Sequence, residues 1–205
     1  MLAVVNNGTH FLAEMQHALD VIGVDYELID GGSRVLLPSR LGAYSGIILT
    51  GGDVHVYRAE QLAAVRVDTR ILELTTVPVL GICLGHQLVA HHYGASIQPL
   101  SRPVDQDETI EIVRADAIFA GLPGRFRARV AHDDAVVGLA SPLVRLARSA
   151  IAEYEAIRHR DRPVYGLQFH PEASGASGLT ILENFIGLCQ QATTKQPGSR
   201  LGGDA

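Results

Sequence analysis

Val77-Pro78-Val79-Leu80-Gly81-Ile82-Cys83-Leu84-Gly85-His86-Gln87-Leu88-Val89-Ala90-His91-His92-Tyr93 changes its periodicity halfway along. Val77 to Ile82 is an apolar run too short for a helix and β-branched enough for a buried strand. From Leu84 to Tyr93, Leu84, Leu88 and His91 or His92 recur at helical spacing. Between them lies Gly81-Ile82-Cys83-Leu84-Gly85, the cysteine version of the Gly-x-Ser-x-Gly nucleophile elbow. A nucleophile on so sharp a strand-to-helix turn has a strained backbone, and side chains two positions to either side would crowd it. Gly81 and Gly85 remove those side chains. The turn also sets Cys83 at a helix N-terminus, where the dipole and free N–H groups favour the thiolate. A buried structural cysteine is the commoner fate of the residue type; the paired glycines point instead to a nucleophile.

Working outward, Leu2–Val5 predicts a strand ended by the turn Asn6-Asn7-Gly8, after which Thr9 can cap a helix. That helix carries Phe11, Leu12, Met15, Leu19 and Ile22 on one stripe and stops at Gly23. Val24–Ile29 reads as a second strand, Asp30-Gly31-Gly32-Ser33 as a loop, and Gly46–Thr50 as a third strand running into Gly51-Gly52-Asp53. Ala59–Leu74 has the spacing of one helix. Strands alternating with helices imply right-handed crossovers and a parallel sheet. Beyond residue 95 the texture changes. Thr109–Val113, Arg127–Ala131, Val144–Ala147 and Glu153–Arg158 alternate with period two, as antiparallel strands added to the main sheet would. Val164–Phe169 is a further strand ending at His170-Pro171-Glu172, and Gly178–Leu188 a last helix. From residue 191 to 205 the chain has no periodicity and is expected to be disordered, leaving one domain over 1–190.

The bulk properties exclude several classes. A chain of 205 residues with 47% apolar content can bury a sizeable core unaided. A formal charge of −5, unclustered, gives no electrostatic case for nucleic acid or an anionic membrane. Two cysteines 106 positions apart make no disulfide framework, and the N-terminus has no signal-peptide pattern, so a reducing cytoplasm is expected. The phosphate-loop pattern Gly-x-x-x-x-Gly-Lys-Ser/Thr is absent, as are His-Glu-x-x-His and Cys-x-x-Cys, so neither a metal nor a cofactor is expected. Cys189, on the last helix, is expected to be a packed thiol.

A cysteine nucleophile needs a base, and the base needs an acceptor to hold its ring. His170 and Glu172 end a strand, and their i, i+2 spacing puts both side chains on one side of an extended backbone, which Pro171 stiffens. Strand ends on the carboxyl edge of a parallel sheet lie together, and Cys83 ends a strand on the same edge. Cys83, His170 and Glu172 are therefore the expected catalytic triad.

With Gly51-Gly52 after a strand, Gly81 to Gln87 around the cysteine, and Gln168-Phe169-His170-Pro171-Glu172, residues 1–190 resemble a class I, triad-type glutamine amidotransferase domain. Among such domains the likeness is greatest to the stand-alone glutaminase subunits of GMP synthase. The resemblance implies a flavodoxin-like, mostly parallel sheet flanked by helices, with a smaller antiparallel β segment. It implies hydrolysis of L-glutamine to glutamate and ammonia through a Cys83 thioester. The ammonia would pass to a separate ATP-dependent synthetase, converting XMP to GMP or serving a related amidation. It also implies that the backbone N–H groups of Gly52 and Leu84 form an oxyanion hole. Gly51, Gln87, Ala131, His132 and Asp133 would bind the substrate. Where the family has serine before and proline after Gly-Gly, this chain has Thr50 and Asp53; where it has serine before the histidine, this chain has Ala131. Asp53–Arg58, Ser101–Asp107 and Ala173–Ser177 flank the expected site and are candidates for a partner surface. Two other readings stand beside this one: a partner-independent γ-glutamyl hydrolase using the same elbow, and a non-catalytic glutaminase-like module that regulates a synthetase.

Overall fold

A computed structural model describes residues 1–32 and 41–194. Its described residues form one nine-stranded sheet in the order β2-β1-β3-β4-β9-β8-β7-β5-β6. The first five are parallel: β1 (Leu2–Asn6), β2 (Tyr26–Asp30), β3 (Gly46–Leu49), β4 (Val79–Ile82) and β9 (Val164–Leu167). This is the expected flavodoxin-like half. The remainder is antiparallel and continues the same sheet through β8 (Ala156–His159), β7 (Leu143–Arg148), β5 (Ser96–Ile112) and β6 (Arg125–Gly138).

The alternation of the central strands explains how the sheet is covered. Along β1, Leu2 and Val4 enter one core with Ile48, Leu80 and Ile82, while Ala3 and Val5 enter another with Ile47, Leu49 and Val79. Strands buried on both faces need no polar alternation, which is why these runs are wholly apolar. Helix α1 (Leu12–Ile22) packs Met15, Ala18 and Leu19 into the first core, beside Ile181, Leu182, Phe185 and Ile186 of α5 (Gly175–Thr194). On the opposite face α3 (Arg66–Leu74) contributes Val67, Ile71 and Leu72, and α4 (Leu84–His92) contributes Val89 and Ala90. Arg162 ties this layer together, donating to Tyr93 Oη at 2.6 Å and to the carbonyls of Leu72 and Thr75 at 3.3 and 2.7 Å. Those carbonyls belong to the open C-terminal end of α3, where a cation is favoured.

Several boundaries differ from expectation for identifiable reasons. Thr9 does not cap α1. Its hydroxyl accepts from the Phe11 N–H at 3.2 Å, one turn early, and the helix begins at Leu12. Gly23 stops the helix as expected, in a left-handed conformation (φ 75°) with its N–H on the Leu19 carbonyl. The single helix expected over 59–74 is broken into α2 (Ala59–Leu62) and α3 by a 3-10 turn at Ala63–Val65. The break seats β-branched Val65 in a small cluster with Val56, Leu84 and Leu88. The last helix starts three residues before the expected Gly178 and runs to Thr194 rather than Leu188, so residues 191–194 are helical. The expectation for 195–205 and Ser33 of the expected loop lie outside the described residues. Among the described residues no helix is long and apolar enough to cross a membrane.

Candidate active site

The elbow has the strain that its glycines imply. Cys83 joins β4 to α4 at φ 52°, ψ −102°, and is the only non-glycine residue with positive φ among those described. Such a conformation costs on the order of 1–3 kcal/mol, so the surroundings must hold it. They do so by backbone contact. A Cβ on Gly81 would lie 2.3 Å from the Gly85 carbonyl oxygen, and one on Gly85 would lie 2.2 Å from that of Leu49. The Gly85 N–H donates to Thr50 O at 3.2 Å, and the Cys83 N–H to Leu167 O at 2.8 Å. The strained residue is thus pinned to β3 on one side and β9 on the other.

His170 and Glu172 follow β9 and meet as expected, with Nδ1 and Oε1 2.9 Å apart and both side chains buried. His170 and Cys83 flank Gly51. Burial alone would push the imidazole down; the Glu172 carboxylate, with Cys83 as a second favourable neighbour, outweighs it and raises His170 to about 10. At neutral pH the ring is therefore an imidazolium held against the Glu172 carboxylate. Its backbone is fixed as firmly as its ring. The His170 N–H donates to Arg129 O at 2.8 Å, Ser174 Oγ donates to His170 O at 2.6 Å, and the Arg129 N–H donates to Ser174 Oγ at 2.9 Å. Phe11 covers the ring, centroid to centroid 4.4 Å.

Cys83 opens into a cleft of about 410 Å³ whose walls include Gly52, Gln87, Ala131, His132 and Asp133. Of the expected site residues, Gly52 and Leu84 are neighbours: a Cβ on Gly52 would sit 3.0 Å from Leu84 Cδ2 and 2.3 Å from Asn7 O. Leu84 is the first residue of α4, where backbone N–H groups have no intrahelical acceptor. Gly51 stands between Cys83 and His170: a methyl group on it would come within 3.1 Å of His170 Cε1 and 3.5 Å of Cys83 Cβ. Gln87 turns its amide into the protein, donating to Asp134 O at 3.1 Å and to Gln168 Oε1 at 3.3 Å. Ala131 presents its carbonyl to the Cys83 thiol at 3.5 Å, and Asp133 is exposed at the mouth.

His132 has a tautomer that its surroundings decide. Nδ1 lies 2.8 Å from the Asp134 carbonyl, which can only accept, so Nδ1 carries the proton and Nε2 is a bare lone pair. Burial, reinforced by the neighbouring His170 cation, holds this histidine down at about 4. Nε2 is buried and unpartnered in the wall of the cleft. Sequence reasoning did not find four further contributors. Phe11 has the spacing of a core residue, Arg129 and Ser174 act through backbone and hydroxyl, and His55 had no motif. His55 Nδ1 sits 2.6 Å from Asp134 Oδ2 and Tyr57 Oη 3.1 Å from Asp134 Oδ1, closing the cleft's upper edge.

A strained strand-end cysteine opening into a cleft and a buried His–Glu pair stand at the carboxyl ends of neighbouring parallel strands. The family model described as "Glutamine amidotransferase class-I" matches residues 3–188. The chain is 34% identical over 190 residues to a glutamine-hydrolysing GMP synthase subunit of Pyrococcus abyssi, covering 92% of this chain and 98% of that one. It is 31% identical to the protein of the same name from Methanococcus aeolicus, covering 92% and 97%. Among solved structures, the corresponding GMP synthase subunit from Thermoplasma acidophilum superposes with a TM-score of 0.86 at 29% identity, covering 96% of this chain and 97% of that one. A glutamine amidotransferase from Thermotoga maritima, 24% identical with a TM-score of 0.72, has the same fold and covers 95% and 83%. The chain belongs to the class-I glutamine amidotransferase family.

Proposed function

We propose that this protein hydrolyses L-glutamine to glutamate and ammonia through a thioester on Cys83, and delivers the ammonia to a separate ATP-dependent synthetase. The observation that carries the proposal is the strained Cys83, which opens into the cleft, together with the buried His170–Glu172 pair across Gly51 from it. The reacting form is the ion pair of a Cys83 thiolate, which the helix N-terminus favours, and a His170 imidazolium. The thiolate attacks the carboxamide carbon, and the oxyanion forms toward the N–H groups of Leu84 and Gly52. Collapse of this adduct breaks the C–N bond as His170 gives its proton to nitrogen, so ammonia leaves and a thioester remains. Water then attacks, neutral His170 takes its proton, and expulsion of the thiolate restores the ion pair. Glu172 keeps the ring oriented and stabilises the imidazolium in both halves. His132, neutral in the wall of the cleft, helps to shape the glutamine pocket.

The similarity to glutamine-hydrolysing GMP synthase subunits supports a nucleotide acceptor, with XMP converted to GMP on the partner. The present sequence has no phosphate-loop motif of its own, which fits activation of the acceptor on another chain. The test is glutamine labelled with ¹⁵N in the amide, supplied to the protein alone and with its synthetase, XMP and ATP. Label should appear in GMP, and glutamine turnover should rise when the partner and its substrates are added. Full turnover alone, unchanged by any synthetase from the same source, would make it a free-standing hydrolase. No turnover and no alkylation of Cys83 under any condition would make it a regulatory module.

A further inference from the structure

Asp68 lies on the buried stripe of α3 with no exposure, three residues before Ile71. Asn7 Nδ2 donates to Asp68 Oδ1 at 2.8 Å, the Asp68 backbone amide assists, and Oδ2 is buried without a partner among the described residues. A carboxylate so placed is expensive, and packing alone would favour leucine or valine. Asn7 explains its presence. The Asn7 carboxamide faces the Thr50 carbonyl at 3.4 Å as well as Asp68, and the Asn7 N–H donates to Thr50 Oγ1 at 3.0 Å. Thr50 Oγ1 in turn donates to Gly51 O at 3.1 Å, and Gly52 is packed against the Asn7 carbonyl. Asn7 Oδ1 has no partner of its own, so Asp68 decides which end of the amide faces Thr50. A flipped amide would aim oxygen at both a carbonyl and a carboxyl group.

We infer that Asp68 is a positioning residue of the glutaminase reaction: through the Asn7 carboxamide it fixes the Thr50–Gly52 strand end that carries one oxyanion donor. The inference rests on the glutaminase activity proposed above. Burial raises Asp68 to about 7, but either charge state leaves Oδ1 free to accept, with the proton on Oδ2 when it is present. Asparagine at this position has the same accepting oxygen; leucine fills the space without it.

The experiment compares Asp68→Leu, Asp68→Asn, Asn7→Ala and the double variant Asp68→Leu/Asn7→Ala in the full chain. Each is assayed for kcat and KM with glutamine and for the rate at which iodoacetamide alkylates Cys83. A misaligned donor should lose less than the roughly 10²–10³ of a deleted one. Asp68→Leu should therefore lower kcat about tenfold while KM and alkylation stay within about twofold, and Asp68→Asn should recover most of the loss. Asn7→Ala should reproduce the defect, and the double variant should be no worse than the poorer single, because the two residues act through one contact. If Asp68→Leu does not fold, Asn7→Ala and Asp68→Asn still decide the matter. Wild-type kcat in a folded Asp68→Leu or Asn7→Ala protein, no rescue by asparagine, a parallel loss of alkylation, or additive losses would each overturn the inference while leaving the glutaminase reading intact. Wild-type protein that never turns over glutamine would overturn both.

Discussion

Replacing Glu172 with glutamine preserves shape and removes one charge, which isolates what that charge does for His170. Burial opposes the imidazolium, while Glu172 and Cys83 raise it from the ordinary 6.5 to about 10. A histidine raised in the folded state stabilises the fold fully below its unfolded value, and the contribution is lost as pH rises through the folded one. The wild-type protein should therefore exceed Glu172→Gln in melting temperature most at pH 6 and least at pH 10. Breaking a buried ion pair by removing one partner costs about 3–5 kcal/mol. Glutamine can still accept the Nδ1–H bond, so the low end applies. At roughly 2–4 °C per kcal/mol for a chain of this size, the gap at pH 6 should be roughly 6–12 °C. Glutamine hydrolysis should fall on the order of 10²–10⁴ in kcat, since the ring loses its charge partner. Calorimetry at unit intervals from pH 6 to 10, with kcat measured in parallel, tests both. An equal gap at pH 6 and pH 10, or none at pH 6, would refute the electrostatic account; full kcat would show that another acceptor holds His170.

Cys83→Ala should abolish glutamine turnover, and a glutamine-like electrophile should label Cys83 while sparing Cys189, whose thiol is buried and pushed up to about 12; mass mapping of the labelled peptide decides this, and label on Cys189 alone would sink the nucleophile assignment. Gly85→Ala should cost about 3 kcal/mol or more, because its methyl group meets the Leu49 backbone. Gly187→Ala, in a helix with open space around it, should instead raise the melting temperature by the equivalent of about 0.5–1 kcal/mol. His132→Ala should raise KM for glutamine about tenfold, because it removes one cleft wall and the Nδ1–H bond of roughly 1–2 kcal/mol that holds Asp134 O; unchanged KM would free His132 of that role.

The parallel half of the fold was legible because burial on both faces leaves an unmistakable pattern: the apolar runs at 2–5, 46–50, 77–82 and 164–169 all became strands, within one or two residues. The long hairpin of β5 and β6 was legible only at its distal end. From Ser96 to Thr109 most of β5 is exposed or half-buried on both faces and carries Pro99 and Pro103, so no period-two signal exists there. Its extended form comes from pairing with β6, in a register that shifts between Pro99 and Val104. The elbow and the His–Glu pair were legible because their chemistry is local in sequence. Asn7, Phe11 and Asp68 were not, since each works only through a contact between distant segments.

The outer edge of the sheet is β6, and an edge strand presents unpaired backbone groups to any other chain. Here the Arg129 amide and carbonyl are already occupied by Ser174 and His170. Around them, Arg125, Arg127 and Arg129 reach back to Glu111, Asp107 and Asp105 of the neighbouring strand. A foreign strand zipping onto β6 would have to peel His170 from its backbone anchor before it could extend the sheet. Displacement of His170 and exposure of a sticky margin are thus one event, so aggregation through this stretch of β6 should begin from molecules in which His170 has already left its place.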